Sequence, residues 1–311
     1  MIATVTLNPA LDKVFILPTR SIERLNYVER GISIPGGDGI NSAYAIQALG
    51  TEAIVMGFIG GIAGKFIEEE LGKTQISTNF TYIEKQTRTD HIILNKRNRV
   101  LTQINEKGPW IKPKEIESFN ESFKRMLSRC EMVLFSGSVP QGVGADIYAR
   151  LISITQEKKV RTVLNATKEA LLHGIETGPY MVFADLKGID VLMGVKINTI
   201  KKLLEAAQKI LDKGTKIVVF NFNDNKLVVT SEKVWKINLP DIKVVNSVGM
   251  EDALIGGMMH ILKDSEDLFE AIRCGAAASI ASALQVEAKV KSKEQVEQFL
   301  DKVEIKELNL S

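Results

Sequence analysis

The feature that most constrains this chain is an alternation of short apolar runs with longer amphipathic stretches, sustained to about residue 260. Residues 2–7, 53–58, 132–135, 161–164, 180–183 and 217–220 are dominated by Val, Ile, Leu, Met and Phe. Several are nearly uninterrupted, as strands covered on both faces should be, because neither face has to meet water. Between them, residues 40–49, 115–129, 147–157, 200–213 and 253–262 carry helical patterns, two of which stop at Gly50 and Gly214. In the last, Ala253, Leu254, Gly257, Met258, Ile261 and Leu262 recur at i, i+4 and i+8 and give one stripe for burial. This alternation predicts an α/β fold with a mostly parallel central sheet and helices on both faces.

Two stretches break the rhythm. Residues 13–34 and 80–104 are rich in β-branched residues and lack a helical period. The second holds three strand-like pieces, 80–84, 91–95 and 100–104, with the polar run 96–99 as a turn. Four or five short strands here predict a small sheet beside the core. Ligands of open α/β sheets bind outside the carboxyl ends of the strands, where such a sheet can act as a lid. His91 and Ile93 alternate with Ile92 and Leu94, so both faces are largely apolar. That pattern predicts a homodimer formed through the lid sheet. Without repeats or Pro/Gly/Ser-rich linkers, the chain reads as a single domain over 1–311, with lid strands from about 13–34 and 80–105.

Composition removes other classes. Forty Lys and Arg against 38 Asp and Glu leave a charge of +2, which argues against a nucleic-acid or membrane partner. No apolar run reaches the ~18 residues of a membrane span. Cys130 and Cys274 make no disulfide framework, and His91, His173 and His260 show no metal-ligand spacing. The strand-like opening lacks the basic flank and apolar core of a signal peptide, so a cytoplasmic enzyme is expected.

Two glycine-rich turns each feed a helix. In Pro35-Gly-Gly-Asp-Gly-Ile-Asn41, the glycines allow close backbone approach to a ligand, and Asn41 offers a two-ended side chain suited to hydroxyls. In Asn246-Ser-Val-Gly-Met-Glu-Asp252, helix-initial amides suit a developing anion, and a first-turn carboxylate suits a general base. Both also read as ordinary structure: a tight turn, and acidic first-turn residues worth about 0.3–1 kcal/mol against the helix dipole.

Taken together, in this order and separation, the two turns resemble the phosphofructokinase-B (ribokinase-like) carbohydrate kinases. Further matches are Thr6-Leu-Asn-Pro-Ala-Leu-Asp12, Thr87-Arg88, Thr102-Gln-Ile-Asn-Glu-Lys-Gly-Pro109 and Ser136-Gly-Ser-Val-Pro140. The opening is similar to the branch acting on sugar phosphates, the 1-phosphofructokinases and tagatose-6-phosphate kinases. The resemblance implies a three-layer α/β/α core with a β-sheet lid. It also implies a phosphotransferase using ATP and Mg²⁺ on a sugar or sugar-phosphate hydroxyl. Asp252 matches the catalytic base, and Gly249, Met250 and Glu251 complete the anion hole. Asp12, Gly36, Gly37, Asp38, Asn41, Arg88 and Asn105 fall on the sugar side, Arg88 where the family contacts the sugar's phosphate. Asp185, Lys187, Asn221, Phe222, Asn225, Ser247 and Gly249 fall on the nucleotide side, with Asp185 as the metal residue, through a bound water.

The sequence departs from the family in functional places. Glu251 replaces a glycine near the phosphates; two unit charges 4 Å apart at an effective dielectric near 20 repel by about 4 kcal/mol, about a thousandfold in rate. Three arrangements answer this: Glu251 turns away, faces a cation, or slows the enzyme. Gly188 stands where relatives have a carboxylate, and Phe222 where they have a glycine, either stacked on a base or packed in the core. Asp38 replaces a frequent Lys, Tyr27 a frequent Arg, and Asp90 an Asn. Lys13, Arg24 or Arg97 are available as substitute cations, and an acidic pocket also suits an unphosphorylated sugar or polyol. Glu251, Gly188 and Phe222 favour an alternative, a kinase-like protein that holds nucleotide or sugar with little or no transfer.

Overall fold

Four strands buried at every position occupy the middle of the larger of two sheets: β1 (Ile2–Val5), β4 (Ala53–Ile59), β8 (Met132–Ser136) and β10 (Met181–Ala184). The computed structural model describes residues 1–19, 25–97, 100–222, 225–240 and 242–308. With β5 (Ser77–Tyr82), β9 (Arg161–Ala166) and β11 (Ile217–Phe222), these strands run parallel in the order β11-β10-β9-β8-β1-β4-β5. Beyond β11 the sheet continues antiparallel through β12 (Asn225–Val229), β13 (Val234–Asn238) and β14 (Glu304–Glu307), reaching ten strands. The predicted α/β/α layering follows. One face packs on α3 (Pro113–Met126), α4 (Ile147–Glu157), α5 (Lys168–Ile175), α6 (Leu186–Met193) and α7 (Ile200–Leu211). The other packs on α1 (Asp38–Ala48), α2 (Gly61–Gly72), α8 (Met250–Leu262) and α9 (Leu268–Ala283), with α10 (Lys293–Leu300) against α9. A chain of ring contacts from Phe58 through Phe119, Phe123 and Phe135 to Tyr148 fills the first layer. Each such buried side chain contributes about 1.5–3 kcal/mol.

Small residues let the second layer close tightly. A Cβ on Gly257 would meet the Gly275 Cα at 2.7 Å, and one on Gly256 would meet the Ser42 carbonyl at 2.6 Å. Helix α8 therefore lies almost backbone to backbone against α9 and α1. That contact brings the first turns of α1 and α8 together at the site.

The second sheet has the order β3-β2-β6-β7, from β2 (Ala10–Leu17), β3 (Arg30–Gly36), β6 (Arg88–Asn95) and β7 (Leu101–Ile104). Strands β2 and β6 are parallel and the other pairs antiparallel. Val14, Ile16, Ile34, Ile92 and Leu94 form its inner face, against Val248 and Val286. Pro35 lies on β3, an edge strand, where its missing N–H leaves no central ladder bond unmade.

One boundary differs from the sequence expectation. The piece at 80–84 belongs largely to β5, which pairs parallel with β4 at the edge of the large sheet. The α2 crossover returns the chain in the direction of β4, and the polar Ser77, Thr78 and Asn79 suit an edge. The small sheet instead begins earlier, at Ala10 and Arg88. Among the described residues no helix is long and apolar enough to cross a membrane.

Candidate active site

Helix α8 starts on Gly249, whose φ of 80° is left-handed and strained for any residue with a Cβ. Asn246 fastens the preceding loop: its Oδ1 accepts from the Val248 N–H at 3.0 Å, and its Nδ2 donates to the Val286 carbonyl at 2.8 Å. The first turn then presents Met250, Glu251 and Asp252 together with the helix-initial amides, which favour negative charge.

Asp252 is 6% exposed, and its Oδ2 accepts from Asn41 Nδ2 at 3.0 Å. Burial pushes its carboxyl well above the usual range, and the charges of Asp38 and Glu251 push it further. The Asn41 donor and the Lys226 ammonium act the other way. Asp38, the first residue of α1, opens on the same cleft and is also raised, by its crowded setting and by Glu251.

Glu251 faces a cation, the second of the three arrangements open from the sequence. Its carboxylate accepts from Asn221 Nδ2, and Lys226 Nζ lies 4.0 Å away while donating to Asn221 Oδ1. Asn221 and Lys226 are opposed in the β11–β12 register. Burial pulls the Lys226 ammonium below its ordinary value, with Glu251 and Asp252 opposing. A cleft of about 380 Å³ is lined here by Asp38, Asn165, Thr167, Asp185, Asn221, Glu251 and Asp252.

Across the cleft, β2 and β6 set Asp12 opposite Asp90. Asp12 occupies the space beside Gly36, where a Cβ would sit 2.2 Å from its carboxyl carbon. Burial, with Asp90 adding to it, pushes Asp12 up to about 7, against the pull of Arg88. Arg88 donates to Asp90 Oδ2 at 2.6 Å, to the Asn8 carbonyl at 3.0 Å and to the Glu106 carbonyl at 3.3 Å. Asp90 also accepts the Glu106 N–H at 3.0 Å, and its carboxyl is raised by burial despite Arg88. Gly37 caps α1 at φ 120°, and Asn105 is exposed next to Glu106.

The structure thus gathers Asp12, Gly36, Gly37, Asp38, Asn41, Arg88, Gly249, Glu251 and Asp252 along one opening, with Asp185 and Asn221 on its other wall. Other expected residues stand elsewhere. Phe222 is buried in the core, so it packs rather than stacks on a base. Lys187 is exposed, and Asn225 opposes Phe222 in the hairpin. Ser247 lines a separate cavity of about 630 Å³ beneath the small sheet, with Ile16, Leu94, Val244 and Val286. Asp185 caps α6, its Oδ2 accepting the Gly188 N–H at 3.1 Å. Tyr27 is 78% exposed, and Lys13 is on the sheet face opposite Asp12. Arg97 lies past the far end of β6, roughly 30 Å along the strand from Arg88. Arg24 lies outside the described residues.

Lys226, Asn165 and Thr167 escaped sequence reasoning. Asn165 and Thr167 end an apolar run at the carboxyl end of β9, which was the available signal. Lys226 precedes the apolar Leu227-Val-Val229, a pattern that reads as a surface lysine. Among the described residues no group of three or more His, Cys, Asp or Glu could hold a metal ion. Asp185 offers hard oxygen atoms on the cleft wall. They suit a divalent cation that keeps most of its waters and travels on a donor's phosphates.

A first-turn carboxylate at the mouth of a parallel sheet, facing Asp12 and Arg88 on a second small sheet, suits group transfer to a polyhydroxy acceptor. The chain belongs to the pfkB family of carbohydrate kinases, which it matches over residues 6–294. It is 31% identical over 281 residues to the tagatose-6-phosphate kinase of Staphylococcus epidermidis, covering 87% of this chain and 89% of the relative. It is 28% identical over 309 residues to the 1-phosphofructokinase of Bacillus subtilis, covering 99% and 100%. Among solved structures, a Thermotoga maritima protein described as a possible 1-phosphofructokinase superposes with a TM-score of 0.92 at 30% identity, over 99% of this chain and 100% of that one. Phosphofructokinase-2 of Escherichia coli in complex with fructose-6-phosphate gives 0.86 at 25% identity, over 97% and 98%.

Proposed function

We propose that the protein transfers the terminal phosphoryl group of ATP to a hydroxyl of a ketohexose phosphate, of the fructose-1-phosphate, fructose-6-phosphate or tagatose-6-phosphate type. The observation that carries this is Asp252, buried at the start of α8 and held by Asn41 at 3.0 Å. Asp252 takes the proton of the acceptor hydroxyl as its oxygen bonds to phosphorus, and the bond to the departing ADP oxygen breaks. The amides of Gly249–Asp252 receive the charge on the transferring group, so the chemistry rests on positioning and charge stabilisation. Mg²⁺ bound with the donor would neutralise phosphate charge, and Asp185 is placed to hold its waters. Asp12 and Asn41 orient the acceptor, the small sheet serves as lid to a chain that works as one unit, and two copies pair through it.

Arg88 carries a second reading of the acceptor. Its guanidinium is committed to Asp90 and two carbonyls, which favours a sugar or polyol bearing hydroxyls alone. ADP release from Mg·ATP across a panel of sugars and sugar phosphates, with Asp252→Asn alongside, tests both. Turnover with a ketohexose phosphate, lost in the variant, supports the first; turnover confined to unphosphorylated acceptors supports the second. No turnover with any acceptor overturns the proposal.

A further inference from the structure

The first turn of α8 carries a negative side chain where a transferred phosphoryl group also brings negative charge. Glu251 is 36% exposed and lines the cleft, whereas Lys226 is 13% exposed and lies behind it. Asn221 bridges the two, donating to Glu251 through Nδ2 and accepting from Lys226 through Oδ1. One amide thus fixes an ammonium and a carboxylate at 4.0 Å, with two adjacent strands and a helix each supplying one member. A surface ion pair needs no such bridge, and a partly buried lysine beside two carboxylates is costly unless its charge is used.

We propose that Lys226 is a positioning residue of the phosphoryl-transfer site: held by Asn221, its ammonium neutralises Glu251 and leaves the first turn of α8 receptive to a donor's phosphates. The inference rests on the transfer reaction proposed above. The groups facing Asp252 are Asp38 and Asn41 from α1, Glu251 from its own turn and Lys226 from β12. Removing the ammonium leaves three carboxylates there with no opposing charge among those groups.

The test is a charge-removal cycle read in two ways, with thermal unfolding midpoints confirming that each variant folds. Equilibrium dialysis with Mg·ATP measures donor binding without turnover. Lys226→Met should weaken binding about tenfold or more, the scale of a partly screened charge beside a phosphate, and Glu251→Gln should strengthen it. In the Glu251→Gln background Lys226→Met should cost less than about threefold, because a lysine that acts by neutralising Glu251 then has no charge left to neutralise. In turnover, Lys226→Met should shift the acid limb of kcat upward in pH, and Lys226→Arg should restore it. Equal binding across the four proteins, or a loss from Lys226→Met as large in the Glu251→Gln background as in wild type, would overturn the role of Lys226. If wild type transfers phosphate to no acceptor, the transfer reading fails while dialysis still decides whether Lys226 neutralises Glu251.

Discussion

Asn41 and Asp252 meet across 211 residues of sequence, Nδ2 to Oδ2 at 3.0 Å, each in the first turn of its helix. The contact joins the two glycine-rich turns that stood apart in the sequence. It is set by backbone packing, since Gly256 lets α8 settle against the Ser42 carbonyl of α1. Asn41 thereby ties α1 to the helix that carries Asp252.

Two substitutions should move the pH dependence of turnover in opposite directions. The proposed base, Asp252, would act only when ionised, and its carboxyl is raised, so activity should fall on the acid side above the usual carboxylate range. Asp38→Asn removes a neighbour that raises it and should carry the limb to lower pH. Asn41→Ala removes a donor that lowers it and should carry the limb higher. Profiles of kcat/KM at constant ionic strength check both; shifts in the same direction would refute the assignment.

Asp12 should cost the fold more stability as pH rises. Its carboxyl is held at about 7 in the folded chain against 3.8 ordinarily, so the folded state binds more protons between those values. The penalty is absent below pH 3.8, grows through the window, and is complete above about 7. Asp12→Asn should therefore raise the unfolding free energy by about 2–4 kcal/mol at pH 8 and by much less near pH 4. Urea unfolding at the two pH values reads the difference, and a gain larger at acid pH would contradict it.

Gly249→Ala should lower stability by about 1–2 kcal/mol from the left-handed conformation alone. It should also depress kcat, because the new Cβ would stand 2.8 Å from the Ala288 carbonyl and displace the first turn. Chemical denaturation and steady-state kinetics measure the two effects separately. Full activity in a destabilised variant would remove the turn from the catalytic assembly.

The outer face of the small sheet carries Phe15 stacked on His91 at 5.9 Å, with Ile93 beside them in the strand alternation. Light scattering at micromolar concentration should give twice the chain mass of 34.4 kDa. Ile93→Lys should return the monomer, since a charge buried in such a contact is unpaired. A monomeric wild type would end the homodimer proposal.

The parallel sheet was legible because its strands are buried on both faces and therefore read as uninterrupted apolar runs. Helix α9 was not, since its buried stretch of Ala276-Ala-Ala-Ser-Ile-Ala-Ser-Ala283 packs through small residues and shows no large apolar stripe. The antiparallel extension at β12–β14 was equally silent, because Lys226, Lys233 and Lys236 break its pattern with charge. At the site, Asp252 and Asn41 were legible from their helix-opening turns. Whether Glu251 met a cation was not, because its partner lies 25 residues earlier on a strand rather than on its own helix, and only the register of β11 with β12 aims that side chain. Asp185 could be singled out by type, but its capping of α6 depends on where that helix begins.

Residues 6–9 are the short connection by which β1 of the large sheet becomes β2 of the small one. Asp12 and, across the β2–β6 ladder, Arg88 and Asp90 ride on the far side of it, while Asp252, Glu251 and Lys226 stay with the large sheet. A swing about that connection would move the three acceptor-side groups as a block, because strand hydrogen bonds fix them to one another. Binding and release of the sugar would then be tied to the same mechanical coordinate that brings a hydroxyl to the base. With the small sheet swung out, the proposed base Asp252 would have no oriented hydroxyl to deprotonate, and geometry would guard the donor's phosphate from wasteful transfer.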